Sequence, residues 1–130
     1  MYALDANTLI YYFKGVGNVA ARLQETPPRE VAIPAIVLYE LEVGAAKSTQ
    51  PRKRLDGLLE LRRAARVLPF DEEAAHFAAG VRVRLERAGK PIGPLDTLIA
   101  GTALRYGATL VTHNTAEFSR VPGLRLADWY

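Results

Sequence analysis

Short apolar runs alternate along the chain with longer stretches in which apolar residues recur every three or four positions. Tyr2-Ala3-Leu4 and Val31-Ala32-Ile33 are apolar throughout and of strand length, the pattern of strands buried on both faces. Thr109-Leu110-Val111-Thr112 is the strongest strand candidate, Val67-Leu68-Pro69 is a brief extended piece, and Leu124-Arg125-Leu126 reads as a last strand. Between them the pattern predicts helices. Asp5-Ala6-Asn7-Thr8 reads as a turn into a helical segment from Leu9 to Phe13, ended by Gly15 and Gly17. A short helix from Val19 to Gln24 precedes the Thr26-Pro27-Pro28 loop. Pro34 suits the first turn of a helix running to about Ala46, because its missing N–H costs nothing there. Ser48-Thr49-Gln50-Pro51 breaks the chain, and a Leu-rich basic helix continues to about Ala65. Asp71 caps a helix reaching Arg87, with Gly89 as its stop, the usual asymmetry of helix ends. Gly93-Pro94-Leu95-Asp96 opens another helix, which ends at Gly107. Strands separated by helices predict a three-layer α/β/α sandwich with a mainly parallel sheet of four to five short strands.

Composition narrows the class. A chain of 130 residues, 49% hydrophobic, predicts one domain over residues 1–130 with a real core. There are no cysteines, which excludes disulfide scaffolds, thiolate-held metals and thiol catalysis. The longest nearly apolar stretch, Val31 to Tyr39, is too short to cross a bilayer and contains Pro34. No basic leader precedes Asp5, so the expectation is a cytoplasmic protein with no membrane partner. Between Pro51 and Arg66, six basic residues face two acids, a local +4 in a chain whose net charge is +3. Such a patch suits a polyanion, although a solvated helix face reads the same way.

Acids recur where a parallel sheet forms its sites, at the carboxyl ends of strands. Asp5 follows the first predicted strand and, taken alone, reads as a helix cap. Glu40 shares helical spacing with Ile36, Val37, Val43 and Gly44, on or beside an apolar stripe. An ionised carboxylate is costly there unless paired or metal-bound. Asp96 heads a stripe of Ile99, Ala100, Ala103 and Gly107, a small-residue face suited to close packing. Asn114 follows the strand Leu110 to Thr112, where a lone Asn is ordinarily a turn residue. Each residue has a bland structural reading, but three acids from distant elements do not gather at one edge by accident. Oxygen donors with no cysteine and no histidine pair at metal spacing fit Mg²⁺ or Mn²⁺. His76 and His113 read as structural or surface residues.

Four strings in order carry a resemblance: Leu4-Asp5-Ala6-Asn7-Thr8, Glu40-Leu41-x-x-Gly44, Pro94-Leu95-Asp96-Thr97-Leu98-Ile99-Ala100, and Leu110-Val111-Thr112-His113-Asn114-Thr115-x-Glu117-Phe118. With Val121-Pro122-Gly123-Leu124 and Asp128-Trp129, they closely resemble PIN-domain ribonucleases, nearest to the VapC toxins of toxin–antitoxin pairs. The resemblance implies an acidic pocket for one or two Mg²⁺ or Mn²⁺ ions. Asp5, Glu40 and Asp96 match its three nearly constant acids, and the fourth catalytic position, often Asp, falls on Asn114. Glu117 is a nearby acid that would substitute, while Asn7 and Thr112 match positions that orient the acids. Ala6 stands where many relatives carry Thr, which removes one hydroxyl but no ligand. The implied activity is metal-dependent hydrolysis of RNA such as tRNA or rRNA. The implied partners are a VapB-type antitoxin and a second copy of the chain or a larger complex. Asp5 and Asp96 are expected to hold the dication, with Glu40 either positioning or deprotonating the attacking water or binding the metal. Arg52, Lys53 and Arg54 are expected to hold phosphates. Arg62 sits within the Leu55, Leu58 and Leu59 stripe, so its stem is expected to pack while its head snorkels out, in a region the antitoxin is a candidate to cover.

Other classes fit less well. A haloacid-dehalogenase-like phosphatase needs an acid where Asn7 stands and a downstream lysine, and Lys90 is the only lysine beyond Lys53. A phospho-acceptor receiver domain needs an acidic pair after the first strand, which is missing. An inactive PIN fold serving as a binding module remains, against which the three retained acids argue.

Overall fold

A computed structural model describes residues 1–130. Five parallel strands, β1 (Tyr2–Leu4), β2 (Val31–Pro34), β3 (Arg66–Leu68), β4 (Thr109–Val111) and β5 (Leu126–Ala127), form one sheet in the order β3-β2-β1-β4-β5. Seven α-helices flank it: α1 (Ala6–Lys14), α2 (Val19–Glu25), α3 (Ala35–Ala46), α4 (Pro51–Ala64), α5 (Glu72–Arg87), α6 (Pro94–Tyr106) and α7 (Thr115–Phe118). The α/β sandwich expected from the alternation of elements is present. The chain leaves β1 toward β2 and β3, then returns to β1's other side as β4. Ligand crevices in open parallel sheets open at such a reversal.

Both sheet faces are covered. Successive strand residues point to opposite faces. Accordingly Ala3 and Ala32, which are register partners, join Leu68 and Ala108 in one small apolar cluster. Leu4, Ile33 and Val111 enter the larger cluster of 19 buried residues. The alanines keep one face shallow, while branched side chains fill the other, at about 1.5–3 kcal/mol for each one fully buried.

Local chemistry moves several boundaries from those expected. Asp5-Ala6-Asn7-Thr8 is the first turn of α1 rather than a separate turn, because Asp5 Oδ1 accepts the Thr8 N–H at 2.9 Å as an N-cap. Gly15 ends that helix at φ 68°, a conformation that glycine adopts without strain. Pro34 closes β2 and caps α3 from outside. It lies past the last β1–β2 partners, Ala3 and Ala32, and pairs only with Leu68 at the end of the β2–β3 ladder, a strand-end position that tolerates proline. The last strand begins at Leu126, opposite Leu110, because Val121 to Leu124 is taken up by a turn. On α3 the buried residues are Val37, Leu38, Leu41 and Ala45, while Val43 is exposed.

Candidate active site

The site is built where β1 and β4 end side by side. The Asp5 N–H donates to the Val111 carbonyl at 3.1 Å, and the Thr8 hydroxyl donates to the same carbonyl at 3.1 Å. Asp5 is thereby fixed against β4 and almost fully buried. Its Oδ1 is committed to the helix cap, while no protein group donates to Oδ2.

Glu40 comes from α3, beside the buried stripe rather than within it. Its Oε1 is buried without a hydrogen-bond partner, the one such side-chain atom in the chain. Burial, then the charges of Asp96 and Asp5, hold its carboxyl above the ordinary value. Asp96 sits in the first turn of α6, where the helix dipole favours a negative charge. Its carboxyl is nonetheless raised, by burial first and then by Glu117 and Asp5. The acids that perturb one another thus come from the N-cap of α1, just past β1, and from α3, α6 and α7, and Asp5 acts on both shifted groups. They converge on one region.

Asn114 and Glu117 belong together. The Asn114 side-chain amide donates to Glu117 Oε2 at 3.0 Å, and the Asn114 backbone N–H donates to the buried Thr112 hydroxyl at 3.0 Å. Thr112 therefore reaches the acids through Asn114 and Glu117. Asn7 is exposed on α1 and its side chain makes no hydrogen bond to an acid; Thr8 holds Asp5 instead. Thr8 was legible only as part of a turn, since its contact with Val111 spans 103 positions. The short helix α7 was also missed, four residues being too few to show a period.

No three acids already stand together as a closed metal cage. Their mutual effect is Coulombic, which reaches further than coordination. Next to Glu40 a groove of about 490 Å³ runs between α1, α3 and α4. Ile10, Phe13, Leu41 and Leu58 give it an apolar wall, and Lys14, Lys53 and Arg54 supply positive charge. Arg52 lies outside it, in a shallow depression with Gln50 and Asp56. Arg62 is exposed, as are Leu55 and Leu59, while Leu58 is buried.

Comparison with known proteins agrees with this architecture. The PIN domain family matches residues 2–124. The tRNA(fMet)-specific endonuclease VapC of Salmonella typhimurium is 36% identical over 128 residues, spanning 98% of this chain and 97% of that protein. The crystal structure of DNA-bound VapBC from Salmonella typhimurium superposes with a TM-score of 0.93 at 37% identity, over 99% of this chain and 98% of that one. VapBC2 from Rickettsia felis, bound to a DNA fragment from its promoter, gives a TM-score of 0.93 at 32% identity, over 99% of this chain and 98% of that one. With its parallel sheet, its acids at the β1–β4 edge and these relatives over nearly its full length, the chain belongs to the PIN domain family, on its VapC branch.

Proposed function

We propose that the chain is a Mg²⁺- or Mn²⁺-dependent endoribonuclease, the toxin of a toxin–antitoxin pair. The single observation that carries the metal is Glu40 Oε1, buried and unpartnered beside two further acids. A bare carboxylate oxygen in such a place is costly unless a cation or a proton joins it. The donor set fits a hard dication: every candidate is an oxygen, and the chain has no cysteine. Asp5, Asp96 and Glu40 would hold it, with Glu117 as the fourth acid. Mg²⁺ keeps several waters and takes only one or two carboxylates besides substrate phosphate, so it needs no closed protein cage. When bound, the dication lowers the pKa of coordinated water and stabilises charge on a phosphate.

The chain's own residues supply the rest. Glu40 either holds the dication or, with its carboxyl raised by burial and by Asp96 and Asp5, accepts a proton from an attacking water. Asn114 keeps the Glu117 carboxylate in place. Lys14, Lys53 and Arg54 line the adjoining groove and would hold the phosphates of the RNA strand. The relative from Salmonella typhimurium is named as specific for tRNA(fMet), which makes initiator tRNA the first substrate to try.

The structures of relatives are toxin–antitoxin complexes. We infer a VapB-type partner for this chain, assembled with one or more copies of it. Exposed Phe13, Leu55 and Leu59 give that partner apolar purchase near the groove. Incubating purified protein with initiator tRNA should give discrete fragments with Mn²⁺ and none after EDTA. Cleavage that survives chelation and dialysis would overturn the metal reading, and no cleavage of any RNA with Mn²⁺ would favour an inactive binding module.

A further inference from the structure

We propose that the segment Asp128–Tyr130 is a positioning clasp that sets the loop carrying Asn114 and Glu117 relative to the rest of the site. One carboxylate does two jobs: Asp128 Oδ1 accepts the Tyr130 N–H at 2.9 Å, and Oδ2 lies 2.9 Å from His113 Nδ1. The Tyr130 ring then stacks on the His113 ring, with centroids 4.3 Å apart and planes 24° from parallel, and Tyr11 of α1 meets Tyr130 edge-on at 4.8 Å. On its other side the Tyr130 carbonyl accepts both the backbone N–H and the side-chain amide of Asn18, at 2.9 and 3.0 Å. Gly17, at φ 70°, lets the backbone come this close, since a Cβ there would meet Tyr130 at 3.0 Å. Trp129, between them, is buried against Tyr2 of β1.

These contacts form an unbroken path. It runs from the α1–α2 turn through Tyr130 and Asp128 to His113, and from His113 through its neighbour Asn114 to Glu117. The path ends on the carboxylate that helps raise Asp96. A four-residue helix cannot hold itself in place. On one flank α7 is anchored by buried Phe118 and Val121, and the clasp supplies the other. The His113–Asp128 pair is half-exposed, at 46% and 37% of the side chains, so it adds little to global stability. Its effect is local order at residues 112–118. The inference rests on the reading of Glu117 and Asp96 as members of the metal site.

Amide hydrogen exchange and Mn²⁺ titration of the His113→Ala, His113→Asn and Tyr130→Ala variants test it. In His113→Ala, exchange should quicken at residues 114–118 while β1 and β2 stay protected. The Mn²⁺ concentration for half-maximal thermal stabilisation should rise about tenfold, the effect of losing a group that orients a ligand. RNA cleavage at saturating Mn²⁺ should hold near the wild-type rate. His113→Asn, which keeps a polar reach to Asp128, should recover most of the metal affinity. Exchange and titration that match wild type in His113→Ala and Tyr130→Ala would overturn the clasp, as would loss of protection across the whole sheet. If wild type itself binds no Mn²⁺, the metal reading fails, and exchange at residues 114–118 still decides the clasp.

Discussion

The side-chain amide of Asn114 donates to Glu117 at 3.0 Å, so the one non-acidic member of the predicted catalytic set is engaged in holding an acid. Asn114→Asp replaces that donor with a second carboxylate facing the first, and like charges at such range repel. The metal-free variant should melt below wild type. Added Mn²⁺ should raise its melting temperature by more than it raises that of wild type. Equal Mn²⁺-induced shifts in the two proteins would remove Asn114 and Glu117 from the site.

The acids set the pH dependence of stability. The carboxyls of Glu40 and Asp96 lie above their ordinary values of 4.5 and 3.8. In the window above those values the native state holds more protons than the unfolded chain, so stability falls as pH rises. Asp71 is lowered, chiefly by the Ala74 N–H, and Asp128 is lowered because its contacts with Tyr130 and His113 outweigh burial. Their contribution is complete above about 3.8 and is lost only as pH falls further. Metal-free denaturant melts at increasing pH above 4.5 should therefore show declining stability. Glu40→Gln should flatten the decline, and a decline unchanged in that variant would contradict the assignment.

Asp5 serves two ends that substitution can separate. Asn caps a helix as well as Asp does, whereas Ala forfeits about 1 kcal/mol. Asp5→Asn should keep the wild-type melting temperature and lower RNA cleavage by at least about 100-fold, the scale on which one electrostatic group acts in catalysis. Asp5→Ala should lose activity and stability together. Asp5→Asn that cleaves RNA at the wild-type rate would exclude Asp5 from catalysis.

What the sequence made legible follows from the range of each interaction. The strands β1, β2 and β4 are dense apolar runs and stand out locally, as do Asp71 and Gly107, which cap by contacts within one turn. The face of α3 is harder to assign. Ala35-Ile36-Val37-Leu38 and Val43-Gly44-Ala45-Ala46 are apolar all round, so no period distinguishes buried Val37 from exposed Val43. Contacts that close the site, Thr8 to Val111 and His113 to Asp128, join segments 103 and 15 residues apart. Nothing local encodes them.

The crossing of α5 and α6 is another such long-range feature, and it supports Asp96. A Cβ on Gly101 would lie 2.6 Å from the backbone N of Ala78, so the helices meet where only glycine fits. Gly101→Ala should cost about 1–3 kcal/mol by overpacking, despite alanine's better helix propensity, and should weaken Mn²⁺ binding by shifting the helix that carries Asp96. A melting temperature at or above wild type would show that the helices separate freely.

The basic cluster at the start of α4 divides by position. Arg54 lines the groove that reaches Glu40, Lys53 lines both that groove and the outer depression, and Arg52 lines only the outer depression with Gln50 and Asp56. Each phosphate contact on a single strand contributes about 0.7 to the log–log slope of affinity against salt. Measured in an Asp96→Asn background, so that RNA is bound without being cut, Lys53→Gln with Arg54→Gln should reduce the slope by about 1.4. Arg52→Gln should leave it unchanged, because a charge outside the RNA path releases no counterion on binding. Equal reductions from all three positions would mean that the strand crosses the outer face of α4 rather than following the groove. The path from Lys14 to Glu40 would then be free for the antitoxin while RNA is bound.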